Sequence, residues 1–134
     1  MKDITASKFQ FTNPIVNELI LKRNKNFDKS AYEGMAICYD TTVYDMQKNT
    51  ATLMLEVEIG EESEKAPFYL KVSVVSNFLW SDEIEKMSES LLKKNGTTLL
   101  LSYARPLIAH ITVDAGFRPF NLPFVDLRED IKKM

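Results

Sequence analysis

The segment ATLMLEVEIGEESEKAPFYLKVSVVS, residues 51–76, contains the clearest secondary-structure signal in the chain. Aliphatic residues occupy every second position from Leu53 to Ile59, while Glu56 and Glu58 fall between them on the opposite face. The alternation resumes over residues 67–76, after a short polar link. Two alternating runs joined in this way predict an antiparallel hairpin with one buried face.

Two further strands are predicted before this hairpin, over residues 8–12 and 34–46. Pro14 suits the end of the first strand because proline has no N–H to donate to a sheet. Residues 15–33 are ambiguous, since their first apolar residues allow a helical turn and the rest is polar. We interpret this segment as a long crossover between the first and second strands.

The hydrophobic period changes after residue 80. Ser81 is placed to cap a helix whose apolar stripe consists of Ile84, Met87 and Leu91. We expect this stripe to contact a second subunit or another helix. Gly96 follows two lysines and an asparagine, which is typical of a helix end.

A second helix is predicted from Thr97 or Thr98 to Gly116. Pro106 interrupts its pattern, because an internal proline removes one hydrogen bond and clashes with the preceding turn. The helix is therefore either kinked there or begins only at Ser102. Strands followed by helices predict an α+β fold, in which a four-stranded antiparallel sheet carries two helices on one face. We expect residues 1–134 to form a single domain.

Composition excludes several functional classes. The net charge of −2 gives no field for a polyanion, and the short basic run from Lys22 to Lys25 is interpreted as a solvated loop, so nucleic-acid binding is not expected. No apolar run has the roughly 20 residues needed to cross a membrane. The single cysteine, Cys38, lies in an apolar stretch and is expected to be buried. We expect a cytoplasmic protein.

Residues that carry catalysis are missing. The only histidine, His110, has Asp114 four positions later but too few neighbours for a zinc site. The glutamates between Glu61 and Glu64 lie in a predicted turn, where solvated carboxylates are ordinary. The sequence predicts no catalytic residue, no metal site and no cofactor, and therefore not an enzyme.

Aromatic residues instead collect near the carboxyl end. Phenylalanines in a loop must cover the domain, a partner or a ligand. Two readings are open: the tail packs over the core and closes it, or it borders a partly open groove for an extended apolar peptide. Pro119 and Pro123 keep the tail extended in either case. The candidate groove residues are Phe78 and Trp80, at the end of the fourth predicted strand, and five residues of the tail: Phe117, Phe120, Leu122, Phe124 and Val125.

The order of short motifs resembles the SecB family of bacterial export chaperones. The matching residues are Tyr103-Ala-Arg105, Gly116-Phe117, Pro119 to Pro123, Phe9 to Pro14 and Gly60 to Glu62. The resemblance implies a dimer of dimers with the helices between two sheets. It also implies that apolar grooves bind non-native polypeptides without ATP, and that the Phe117–Val125 loop lines such a groove.

Some residues of this chain differ from the family pattern, and the differences affect which partners are expected. Export members present acidic residues on the outer sheet face to dock the SecA motor, whereas this chain has Lys8, Thr12 and Lys71 at the positions compared. Lost negative charge weakens an electrostatic contact, so SecA docking is doubtful. The alternative is a SecB-like scaffold, or a chaperone dedicated to one partner such as an antitoxin.

Overall fold

The computed structural model describes residues 1–84 and 87–124. Its main elements, in chain order, are β1 (Phe9–Phe11), β2 (Ile15–Arg23), β3 (Ile37–Tyr44), β4 (Thr50–Gly60), β5 (Phe68–Trp80) and α1 (Glu89–Asp114). A 3-10 turn, Lys29–Ala31, interrupts the connection between β2 and β3.

β5 is the central strand of one antiparallel sheet. β4 pairs with one of its edges and β3 pairs with β4, while β1 and β2 share the other edge of β5. β1 lies opposite the end of β5, with Phe9 facing Trp80, and β2 lies opposite its beginning, with Arg23 facing Phe68. The predicted α+β class and antiparallel sheet are confirmed, but the sheet has five strands rather than four.

The additional strand is β2, which the sequence analysis wrongly assigned to a crossover. The alternation of β2 is shifted between Val16 and Glu18, where the register with β5 changes. Because of this bulge, Val16 and Leu19 share one face of the sheet although they are three residues apart, and a spacing of three looks helical rather than extended. The predicted hairpin of β4 and β5 is present, and both strands run longer than predicted.

One long helix replaces the two that were predicted. Ser88, not Ser81, caps its amino end, because the Ser88 hydroxyl accepts the N–H of Leu91 at 3.0 Å. Gly96 lies inside the helix and is buried against the sheet, where a Cβ would overlap Leu53 Cδ2. Gly96 therefore permits close packing of helix on sheet and does not end the helix.

Pro106 lies within α1, which begins at Glu89, so the predicted late start at Ser102 is wrong. Pro106 and Ser102 are both exposed. The Ser102 carbonyl, which loses its i+4 donor, therefore faces water and the helix continues.

The core lies between α1 and one face of the sheet. β4 alternates along its length between buried and half-buried residues, so only one face is fully covered. α1 contacts β3, β4 and β5, and buried hydroxyls of Thr41 and Thr97 join β3 to the helix at 2.6 Å. The largest fully buried core side chains are Leu53, Leu55, Ile59, Leu70, Phe78, Leu92, Leu100, Ile108 and Leu122.

Candidate functional site

The predicted groove residues divide between the two ends of β5. Phe68 begins this strand and Trp80 ends it, a separation of about 40 Å at roughly 3.3 Å per residue. Phe78 and Trp80 belong to the second end, which we call the Trp80 end. Phe117 and Phe120 lie at the first, which we call the Phe68 end. The structure therefore does not bring all the predicted residues around one groove.

Phe78 and Trp80 are core residues at the Trp80 end. Phe78 is 0% exposed, and its ring centroid lies 5.5 Å from that of Phe9 and 5.8 Å from that of Phe11. Phe9 also stacks on Trp80 at 6.5 Å. β1 thus flanks these two rings, and both are buried.

The rings at the Phe68 end are only partly covered. The Phe117 centroid lies 4.8 Å from that of Phe68, and the Phe120 ring stands perpendicular to Phe68 at 6.4 Å. Phe117 and Phe120 are half-buried, whereas Phe68 is buried. Each tail ring therefore has one side on the core and another at the surface.

The turn after α1 directs the tail onto this end. Gly116 has a φ of 91°, which a residue with a side chain rarely adopts. Its N–H donates to the Val113 carbonyl and the N–H of Phe117 donates to the Thr112 carbonyl, both at 2.9 Å. These bonds satisfy carbonyls at the helix end and reverse the chain.

Two buried anchors then hold the tail along the helix. The Thr112 hydroxyl, which is 0% exposed, accepts the N–H of Phe120 at 2.9 Å and lies 2.9 Å from the Ile108 and Ala109 carbonyls, to which it donates. Leu122 is buried in the core. The tail is therefore fixed between Phe117 and Leu122, and its rings do not have to be ordered when a ligand binds.

Arginines contact both ends of the tail. The Arg23 guanidinium lies 4.2 Å from the Phe117 ring centroid, and its Nη2 donates to the Ala115 carbonyl at 2.6 Å. Arg105 lies 4.2 Å from the ring of Phe124, which is otherwise 90% exposed. Val125, the last predicted groove residue, lies outside the described residues.

Sequence reasoning missed a second aromatic pair near the Phe68 end. Phe27 and Tyr32 meet edge to face at 5.7 Å in the connection between β2 and β3, and Tyr32 is exposed. The N–H of Asn24 donates to the Pro67 carbonyl at 3.1 Å, which fixes this connection beside Phe68. Two aromatic residues in an otherwise polar connection were the available signal.

An exposed apolar row on the sheet was also missed, because β2 was taken for a crossover. Phe11, Val16 and Leu19 are 38%, 42% and 40% exposed. Their pairing partners on β5, Phe78, Val74 and Val72, are buried core residues, so the row lies on the helix side of the sheet. We call Phe11, Val16 and Leu19 the edge row.

The three predicted interface residues do not form one helical stripe. Ile84 and Met87 precede α1, are half-buried, and line a cavity of about 380 Å³ together with Trp80. Leu91 lies in the first turns of α1 and is exposed. The three residues stay a predicted interface, although their arrangement differs from the one expected.

Polar chemistry in the described residues is sparse. No group of His, Cys, Asp or Glu among them could hold a metal ion. His110 and Asp114 do meet, with 3.2 Å between Nε2 and Oδ2, but both are exposed. Cys38 is exposed on β3, so its predicted burial is wrong. Among these residues no helix is both long and apolar enough to span a membrane.

The sheet face opposite the helix is charged. Lys71 Nζ lies 3.0 Å from Glu18 Oε1, and this hydrogen bond raises the lysine pKa. Burial, then the Glu58 carboxylate, raises the pKa of Tyr69. Lys8 pairs with Glu83. The positive charge predicted to oppose an acidic docking face is therefore partly neutralised by neighbouring acids.

Comparisons with known proteins place these features in context. A family model described as SecB, preprotein translocase subunit SecB, matches residues 14–129. An uncharacterized protein of Methanocaldococcus jannaschii is 26% identical over 122 residues, which cover 88% of this chain and 79% of the relative.

Two solved structures are similar. The first is the SecB-like chaperone Rv1957 of Mycobacterium tuberculosis in complex with a ChAD peptide from the antitoxin HigA1. It has a TM-score of 0.64 and 12% identity, over 87% of this chain and 90% of that one. The second, a Streptococcus agalactiae protein of unknown function, has a TM-score of 0.49 and 12% identity, over 90% and 100% of the two chains. The first likeness concerns the fold alone.

Proposed function

Because this chain belongs to the SecB family, we propose that it is a chaperone that binds non-native polypeptides on apolar surface and carries out no catalysis. The observation that carries the proposal is the state of the tail rings. Phe117 and Phe120 are held by buried anchors yet remain half-buried, and Phe124 is exposed. Rings that served only the core would be covered as Phe78 is.

The energetics suit binding without sequence specificity. Removing apolar surface of a client from water contributes about 25 cal/mol per Å². Because Thr112 and Leu122 already fix the tail, little of this gain is lost to ordering the receptor. Apolar contacts have no strict directional requirement, so unrelated segments are accepted.

The proposal includes self-association of the subunits, which would enlarge the apolar surface. We propose a dimer of dimers in the cytoplasm, with α1 facing a partner subunit. Two apolar regions at the surface support it: the exposed edge row of Phe11, Val16 and Leu19, and the region in which half-buried Ile84 and Met87 accompany exposed Leu91. Apolar residues that stay exposed in a lone subunit indicate contact with another chain.

The test is suppression of aggregation of a chemically unfolded client, with light scattering as the readout. Phe124→Ser is expected to weaken suppression and leave the unfolding midpoint unchanged, because this ring contributes little to the core. Tyr44→Ser is the matched control, an exposed aromatic residue on β3. The proposal fails if the wild-type protein neither delays aggregation nor binds unfolded peptides.

A narrower function is the second candidate: a chaperone dedicated to one partner, such as an antitoxin. The structure of the similar protein Rv1957 with an antitoxin peptide favours it. A dedicated chaperone would protect one labile protein and fail with unrelated unfolded clients. Handover to SecA is not part of either proposal, since Lys71 occupies the face where acids were expected.

A further inference from the structure

Arginine is concentrated around the tail. The chain contains four arginines, and three of them, Arg23, Arg105 and Arg118, contact the tail or lie within it. Arg23 covers Phe117, Arg105 covers Phe124, and Arg118 follows Phe117 directly and is exposed. We call this set the tail arginines.

None of the tail arginines has a carboxylate within 4.0 Å among residues 1–84 and 87–124. Four lysines do have such a partner: Lys8, Lys22, Lys48 and Lys71. Within the described part of the chain, the carboxylates that pair with a Lys or Arg side chain pair with lysines, and none of them pairs with a tail arginine.

Acidic residues near the Phe68 end do not change this contrast between paired lysines and tail arginines. The β4–β5 turn carries Glu61, Glu62 and Glu64, but Glu62 pairs with Lys22 at 3.1 Å. Lys22 and Arg23 are neighbours in β2 and therefore point to opposite faces of the sheet. Glu62 lies on the side away from the helix and the tail.

We propose, building on the chaperone function above, that the tail surface prefers polypeptide segments in which an Asp or Glu neighbours an aromatic or aliphatic residue. The apolar side chain packs on Phe120 and Phe124, and the carboxylate binds a tail arginine. The planar guanidinium forms paired hydrogen bonds with a carboxylate while its face stays on a ring. The ligand class is therefore an acidic, apolar peptide.

Three unfolded peptides with identical apolar residues test this proposal. Their intervening positions carry Glu, Gln or Lys, and binding to the full-length protein is measured by fluorescence anisotropy. The Glu peptide is expected to bind most tightly and the Lys peptide least tightly, with each charge contact worth about two- to fivefold. The preference is expected to shrink as salt increases.

Arg118→Gln is the decisive variant, because Arg118 is exposed and its side chain has no hydrogen bond, ion pair or ring contact with residues 1–84 and 87–124. It is expected to lower the affinity for the Glu peptide and leave the Gln peptide unaffected. Lys48→Gln, at the Trp80 end, removes the same charge and is expected to change neither. Equal binding of all three peptides overturns this inference alone, whereas binding of none overturns the chaperone proposal.

The chain itself offers a competing occupant. Its last residues include Asp126, Glu129 and Asp130. A full-length variant with Asn, Gln and Asn at these positions is expected to bind the Glu peptide as the wild type does. Much tighter binding by this variant would show that the arginines serve the protein's own carboxyl-terminal segment, and would overturn the proposal of an external acidic partner.

Discussion

The two ends of β5 bury the same residue type to different degrees. Phe78 at the Trp80 end is fully buried, whereas Phe117 and Phe120 are half-buried at the Phe68 end. The covering elements explain the difference. At the Trp80 end, β1 lies beside β5 as a hydrogen-bonded strand, while the Phe68 end is covered by a tail that Thr112 and Leu122 hold. Aromatic residues in the sequence therefore do not by themselves distinguish core rings from the rings of the proposed binding surface, because the neighbouring element determines how far each ring is covered.

Replacing a phenylalanine by alanine at each of the two ends is the strongest test of the comparison. Phe78→Ala is expected to lower the free energy of unfolding by about 3–5 kcal/mol, since it leaves a cavity between β1, β5 and α1. Phe124→Ala is expected to change it by less than about 0.5 kcal/mol. Urea unfolding measures both, and comparable losses would show that the two ends do not differ in role.

The buried hydroxyl of Thr112 gives a test of intermediate size. Thr112→Val leaves the N–H of Phe120 without its acceptor and is expected to cost about 1–3 kcal/mol. Thr98→Val is the matched control, because Thr98 donates to a helix carbonyl in the same way but is exposed. Hydrogen exchange at Phe120 should accelerate in the first variant only; unchanged exchange would mean that Thr112 does not hold the tail.

The face of β5 opposite the helix provides the smallest expected effect. The Glu18 hydrogen bond raises the pKa of Lys71, and burial raises that of Tyr69. A group whose pKa is higher in the folded state stabilises the fold below its unfolded pKa, and this contribution is lost as pH rises through the folded pKa. Stability should therefore fall at alkaline pH.

The double variant with Lys71→Met and Tyr69→Phe is expected to show a smaller alkaline loss than the wild type when unfolding is followed from neutral pH upward. Both side chains lie on the sheet face opposite the helix and the tail, so the variant should leave peptide binding unchanged. An identical pH dependence in the two proteins would contradict the assignment to these groups.

Sequence reasoning identified most of the sheet because alternation is a local signal. β4 and β5 were predicted together with their hairpin link, and β3 close to its observed limits. β2 was missed because its bulge broke the alternation between Val16 and Glu18. Gly96 was taken for a helix end because its role is set by Leu53, a contact that spacing along the chain does not reveal.

The candidate site was predictable in composition but not in arrangement. The concentration of rings in the tail pointed to Phe117, Phe120 and Phe124. Nothing local indicated that the tail would return to the beginning of β5 rather than its end, because that depends on the length of α1 and on the Gly116 turn. The importance of Arg23 was likewise hidden, since its contact with Phe117 joins distant parts of the chain.

The break at Asn13 and Pro14 has a consequence for a protein that collects unfolded chains. An uninterrupted outer strand offers a template on which further strands add, and this is how fibrils grow. Here the outer strand is divided into β1 and β2, and the bulge near Val16 twists the second part. A captured chain thus finds no long, straight template on this side, which protects the protein from co-assembling with its own cargo.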